Sequence, residues 1–439
     1  MSLLEEFQSH LCGLGLPAGR VLAAVSGGPD SVALLDLLVR TRPAHGLEVV
    51  AAHVDHGLHP DSGRIAEQVR QLASHYGLQF ELGHLCLKGA GETEARRERY
   101  AWLHAARLRL GAGYIMTAHH ADDQVETVLM RVLEGSGPAG LAGIAGVSGY
   151  LVRPLLPFRH SQVVGYLQDV GLEAWLDPAN ADGRHLRSWI RTDLLPRIRA
   201  RLPQVDARIE RVAQQAARNR QAWDAVLEVL PDLDLRVEPR AISVAASVLA
   251  GYDSDLRQAV MLAVARRIGC TPGPSRASRV FALLESGRSG ARVPLGSGWT
   301  AELTFGRLRI TADNTKAGSA SWALERDAGE GVWGRWRFRW GLATAPPRQE
   351  RVGLSAWFLP DTLIVRPWLP GEKLTPLGGT GRRLIVRCFQ DVRVPRTRRG
   401  SWPVLAQNDD VIWVPGVCRS DARIPAGGTE ALRVDAEYA

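Results

Sequence analysis

Lysine is almost missing from this chain of 439 residues: only Lys88, Lys316 and Lys373 stand among its 54 Lys and Arg side chains, and the rest are arginine. Cysteine is sparse too. Cys12, Cys86, Cys270, Cys388 and Cys418 lie far apart with no CxxC pair, which argues against a zinc ribbon, an iron–sulfur cluster or a dithiol couple and suits a reducing compartment. No long apolar run with a basic flank opens the chain, and Glu5 and Glu6 fall where one would begin, so neither a secretory signal nor a membrane span is expected. The expectation is a cytoplasmic protein without a membrane partner. Internal repeats and low-complexity tracts are also lacking. What is present is a hydrophobic fraction of 45%, enough for several cores at roughly 150 residues per domain. The formal charge is +8. A basic surplus favours a polyanionic partner, because each neutralised phosphate releases counterions. Arginine's planar fork suits phosphate, although nucleotide bias in a genome explains an arginine preference equally well.

Apolar runs at Val21–Val25, Leu47–Val54, Leu78–Leu85 and Tyr114–Thr117 predict strands, and amphipathic stretches at Ser31–Arg40, Ile65–Tyr76, Glu92–Arg109 and Ala121–Leu133 predict helices. That alternation predicts an α/β domain with a parallel sheet over residues 1–200. After Pro203 the pattern turns helical and arginine-rich through Arg208, Arg211, Arg218 and Arg220, predicting a mainly helical domain over 201–315. Short β-like runs follow from Arg292 to Ile310, then a poorly patterned stretch, Thr311–Ala320, read as a linker. Residues 316–439 hold that linker and a small α+β domain, with alternating segments such as Trp333–Trp340 and Val411–Val414.

The polar motifs follow predicted strand ends, where ligands bind in open parallel sheets. Ser26-Gly27-Gly28-Pro29-Asp30-Ser31 joins the first strand to the first helix. Its glycines allow close approach, its serines offer hydroxyls, and the helix start offers free N–H groups to an anion. The bland reading is a tight turn with Asp30 or Ser31 as helix cap. The GK[ST] ending that grips a γ-phosphate is missing, and the turn is too short for GxGxxG. His56-Gly57 follows the second strand. Glu94-Ala95-Arg96-Arg97-Glu98-Arg99-Tyr100 crowds arginines on a helix, which is usually only a solvated face. Thr117–Thr127 follows the fourth strand, and there His120, Asp123 and Glu126 recur every three residues, so on a helix they share a face. Their identities permit zinc. Without HExxH or cysteine partners, carboxylates beside a phosphate loop more naturally hold magnesium.

SGGPDS resembles the PP-loop of ATP pyrophosphatases, which split ATP between its α- and β-phosphates. HVDHGL at residues 53–58, the ARRERY run to Tyr100, AHHADDQVET, RPLL from Arg153, DPAN to Asn180 and RSWIR at 187–191 together resemble the tRNA(Ile)-lysidine synthase family. The likeness extends into PSRASRVFALLESGRSG and the tail segments RPWLPGEKLTPLG and VIWVPGVCRS. Ser188, Glu134 and His59 depart from that family's usual Asn, Arg and Arg.

The resemblance implies ATP and Mg2+, free L-lysine and a tRNA(Ile) with a CAU anticodon, and an adenylated cytidine that lysine attacks. It implies Ser26, Gly27, Gly28, Pro29, Asp30, Ser31, His56 and Gly57 around the nucleotide, and Asp30 and Asp123 on magnesium. Arg96, Arg99 and His120 would stabilise moving charge, and Glu126 would hold or deprotonate the lysine ammonium. Asn180, Arg187 and Arg191 would face nucleotide or tRNA, as would Arg382, Arg383 and Arg396 of the tail. The tail is expected to select the tRNA through arginines from Arg382 to Arg399, interleaved with Phe389 and Trp402. A homodimer is compatible with the sequence. A thiolase of the same superfamily would need paired cysteines, and a non-catalytic tRNA binder would not need intact SGGPDS and HHADDQVET.

Overall fold

The computed structural model describes residues 2–55, 57, 62–85, 92–175, 186–238, 240–312, 321–324 and 328–438. His56, His59, Cys86, Asn180 and most of the expected linker lie outside the described residues. The chain divides into two compact units, Met1–Gln221 and Ala222–Ala439. Among the described residues no helix is long and apolar enough to cross a membrane.

The first unit runs α1 (Leu3–Gly13), β1 (Gly19–Ala24), α2 (Pro29–Arg40), α3 (Arg42–His45), β2 (Leu47–Asp55), α4 (Ser62–His75), β3 (Phe80–His84), α5 (Glu92–Arg109), β4 (Tyr114–Met116) and α6 (Ala121–Leu133). A short hairpin, β5 (Val147–Ser148) and β6 (Leu151–Val152), follows, then α7 (His160–Val170), α8 (Leu186–Trp189), a π-helical turn Ile190–Leu194, α9 (Leu195–Arg201) and α10 (Val205–Val226), whose residues from Ala222 onward belong to the second unit. The sheet order is β3-β2-β1-β4-β6-β5, parallel except for the β5–β6 hairpin. Successive strand residues point to opposite faces. Val21, Ala23, Val49 and Ala51 pack with α2 and α4, whereas Leu22, Val50, Ala52 and Ile115 pack with Leu103 and Ala106 of α5. Burial on both faces explains the unbroken apolar runs in the sequence.

The chain leaves β1 for β2 on one side and returns to β4 on the other. That reversal opens a crevice at the carboxyl ends of β1 and β4, the usual ligand position in such sheets.

The second unit begins with an antiparallel sheet of Arg236–Glu238, Ala241–Ala245, Arg292–Gly296, Trp299–Thr304 and Arg307–Ala312, packed on helices Ala246–Gly251, Ser254–Arg266 and Pro274–Ser286. The tail adds a five-stranded sheet around Pro403–Gln407 and a four-stranded one around Glu430–Tyr438. Glu302, with no exposed surface, accepts the backbone N–H groups of Arg396 and Thr397 at 2.9 and 3.0 Å. Glu238 pairs with both Arg309 and Arg398. Cys388 and Cys418, thirty residues apart in sequence, share one core and hydrogen-bond to each other. That bond and Arg351 lower the Cys418 thiol to about 7, and the same bond, with burial, pushes Cys388 up.

Candidate functional site

The turn after β1 is shaped by its own hydroxyls. Ser31 Oγ accepts the Ser26 N–H at 3.0 Å and donates to the Gly28 carbonyl at 2.9 Å, with Ser26 Oγ 3.1 Å away. Gly27 has φ +91°, a region that only glycine enters cheaply, and a Cβ there would come 2.6 Å from Ile65 Cγ2. Gly28 caps α2 without a side-chain bond, Pro29 brings no N–H, and the Ser31 N–H meets the Gly28 carbonyl at 3.1 Å, so among the described residues it is the Asp30 N–H that the helix start offers to an anion.

Across the crevice, His120 caps α6. Its Nδ1 accepts the Asp123 N–H at 3.3 Å while Asp123 Oδ2 accepts the His120 N–H at 3.1 Å. A neutral ring with Nδ1 accepting must carry its proton on Nε2. That nitrogen faces Asp30 Oδ2 at 3.7 Å and Asp123 Oδ2 at 3.5 Å. Asp30 Oδ1 meets His160 Nδ1 at 2.9 Å, and this bond raises the His160 imidazole above its ordinary value.

Asp123 and Glu126 lie on one face of α6, and both are paired. Arg187 reaches Asp123 Oδ1 at 2.5 Å and Glu126 Oε2 at 2.9 Å. Arg191 reaches Glu126 Oε1 at 2.6 Å and Asp123 at 3.4 Å. Val125 packs on Ile190 and Leu195, which fixes the π-helical turn against α6 and brings both guanidinium groups over the carboxylates. Glu126 is only 2% exposed. Burial raises the Asp123 carboxyl, but His120 and Arg187 outweigh it and hold it below the usual range. The Glu126 bond raises Arg191.

A third wall is cationic. Arg96 and Arg99 lie 5.2 and 5.4 Å from the Tyr100 ring and have no carboxylate partner among the described residues. Burial lowers Arg99 and likewise Arg153, whose Nη1 donates to the Ala145 carbonyl at 2.7 Å. His119 lies within the field of Arg153, Arg96 and Arg187 and is lowered to about 4, chiefly by burial. Guanidinium groups without a carboxylate partner, gathered near His119, suit an anion.

The structure therefore brings together Ser26–Ser31, Asp30, His120, Asp123, Glu126, Arg187 and Arg191. Arg382 and Arg383 lie in the other unit, near Asp410 at 3.7 Å and Asp391 at 2.8 Å, and Arg396 exposes its side chain there. Two features of the expected tail surface are corrected. Phe389 is wholly buried, and Arg399 is buried on the Val394 carbonyl at 2.9 and 3.0 Å, so neither is available to RNA. Sequence reasoning missed His160 and placed Arg153 only within a motif resembling the family's nucleotide- and tRNA-facing segments. Arg153 follows β6 at a carboxyl end, the signal that found the other motifs; nothing local marks His160, which is 130 residues from Asp30.

A phosphate turn at the first strand end, facing an acidic helix at the fourth across the sheet's reversal, defines the PP-loop class. The model of the PP-loop domain matches residues 3–198, and that of the TilS substrate C-terminal domain matches 363–435. The chain is 33% identical to a tRNA(Ile)-lysidine synthase of Symbiobacterium thermophilum over 99% of its own length and 98% of the relative's. It is 31% identical to one of Geobacter sulfurreducens, covering 96% and 94%. The chain belongs to the tRNA(Ile)-lysidine synthase family.

Proposed function

We propose that the first unit joins L-lysine to C2 of the wobble cytidine of a tRNA(Ile) with a CAU anticodon, through an adenylated cytidine. The chain is an ATP-using ligase of tRNA(Ile). Cytidine O2 attacks the α-phosphate and pyrophosphate leaves. The lysine ε-amine, after losing a proton, then forms the C2–N bond as the C2–O2 bond breaks and AMP departs. The first step puts a good leaving group on C2, and both need charge stabilisation and exclusion of water.

The Ser26–Ser31 turn, with Gly57, would hold the nucleotide, and His56 and Asn180 would join it. Arg96, Arg99 and His120 would meet the charge passing to pyrophosphate or AMP. The single observation that carries the reading is the facing of the first helix start, at Asp30, against the Asp123–Glu126 pair across His120: one side suits phosphate and the other suits an ammonium. Magnesium fits Asp30, whose Oδ2 has among the described residues no bond shorter than the 3.7 Å approach of His120, because this ion takes one or two carboxylates together with substrate phosphates. Bound there, it would supply charge neutralisation on the phosphates. Both Asp123 oxygens are engaged, so Asp123 joins only once Arg187 has moved. Asp30, His120 and His160 also approach within 4.8 Å of one another.

Arg187 and Arg191 sit where the lysine ammonium would bind. A triphosphate attracts them away, so lysine is expected to bind more tightly with a non-cleavable ATP analogue than alone. In its reducing, cytoplasmic setting the enzyme would take free L-lysine, as a monomer or a homodimer. Incubation with ATP, labelled lysine and a CAU tRNA tests the reading: label should enter the RNA covalently and only with ATP. No incorporation, or equal incorporation into a tRNA with another anticodon, would overturn it.

A further inference from the structure

Helix α10 sorts its charges by face. Val205, Ala213 and Ala216 are buried and Ile209 packs toward the α6 core, which sets the inward side. The acidic residues sit on its flank and are consumed there. Asp206 accepts from Arg199 at 3.0 Å, and Glu210 pairs with Arg159 at 2.7 Å. Arg199 and Arg159 also reach Asp122 of α6, so these carboxylates serve to dock the helix. Arg208, Arg211, Gln215 and Arg218 recur at spacings of three, four and three, which places them in one arc opposite the buried residues. Arg208, Arg211 and Arg218 are exposed, and none has an acidic partner among the described residues. Gln215 bonds to Asn219 at 3.0 Å, so the stripe's neighbours are neutral amides.

An ordinary solvated helix interleaves both signs, with pairs at three or four residues. Here Asp206 and Glu210 are held on the docking flank, and the outer arc carries three arginines and Gln215 with no carboxylate. Adjacent arginines repel, which destabilises the isolated helix and is compensated only when an anion arrives. From Arg208 to Arg218 the helix rises about 15 Å, a span that meets several phosphates along a strand.

We infer that this outer face of α10 is a docking surface for the phosphate backbone of the tRNA substrate. The inference rests on the proposed function for the identity of the RNA. Phosphate contacts fix orientation without reading sequence, so the face holds the tRNA in place and does not choose among tRNAs.

The test is tRNA affinity against salt concentration, for the full chain and for the triple variant Arg208→Gln, Arg211→Gln, Arg218→Gln. The slope of log affinity against log salt should shrink by about 2 to 3, because each lost contact removes roughly 0.7 to 0.9. The triple Arg→Lys variant should restore most of the slope, which a mere packing defect would not. Affinity for CAU and non-CAU tRNAs should fall by the same factor. A wild-type slope in the Gln variant, or a loss that Lys does not repair, would overturn the surface. If the wild-type chain binds tRNA and transfers lysine in that same experiment, only the surface is refuted. If it binds no tRNA at all, the functional reading falls with it.

Discussion

Both units are rich in arginine, and they spend it differently. In the second unit Arg419 is wholly buried and donates to the carbonyls of Ile412, Ser420, Ala422, Trp357 and Arg423, over the ring of Phe358. Burial lowers it to about 10. Arg399, Arg309 and Arg398 are likewise bound to protein acceptors. In the first unit Arg96, Arg99, Arg208, Arg211 and Arg218 have no acidic partner among the described residues. A count of arginines locates no nucleic-acid surface; an account of where each guanidinium donates does.

The largest effect expected from breaking this contrast is at the phosphate turn. Asp30→Ala should lower pyrophosphate release from ATP in the presence of tRNA by about 100-fold or more, with an unchanged circular dichroism spectrum, since among the described residues the Asp30 carboxylate meets only the side chains of His160 and His120. Near-normal release by the folded variant would remove Asp30 from the chemistry. Next comes the structural arginine of the other unit. Arg419→Met strands buried carbonyls, and thermal denaturation should show a loss on the order of 3 kcal/mol or more. A loss under about 1 kcal/mol would mean that water reaches those carbonyls.

Glu126→Gln should be milder and selective. Steady-state kinetics should show KM for lysine rising about tenfold and by more than KM for ATP, because a neutral amide keeps the shape and loses the charge-assisted bond. Equal increases in both constants would place Glu126 on the nucleotide instead. His119 gives a pH signature. Its folded value of about 4 lies below the ordinary value, so the folded state binds fewer protons between the two. Its contribution to stability is therefore complete above about pH 6.5 and is lost as pH falls toward 4. His119→Gln should flatten the acid side of the melting-temperature profile, and an unchanged slope would assign that loss to other groups.

The smallest effects belong to the tail. Arg382→Gln and Arg387→Gln change exposed side chains that, among the described residues, have only weak or local partners. If residues 316–439 select the tRNA, each should weaken CAU tRNA binding a few-fold in a filter assay and leave ATP binding alone. No change would leave these arginines as solvent-facing charge.

The first unit was readable because burial on both sheet faces writes itself into unbroken apolar runs, and because its motifs fall at strand ends. All four predicted strands and their helices stand where the pattern put them. What the sequence hid depends on distance. The Asp30–His160 bond, the Arg187–Arg191 cover over the acidic pair and the adjacency of Cys388 and Cys418 all join segments that local periodicity cannot link. The tail's arginine runs read as surface because composition carries no information on which side chains turn inward. Arg399 and Arg419 turn inward because buried carbonyls there need donors.

The central claim is that the first unit makes an adenylate on the RNA before lysine arrives, and label in ATP tests it most directly. With a CAU tRNA and no lysine, label in the α-phosphate should become covalently attached to the RNA, label in the γ-phosphate should not, and added lysine should discharge the attached label as AMP. Label attached from the γ-phosphate, or α-label that lysine fails to discharge, would contradict the account.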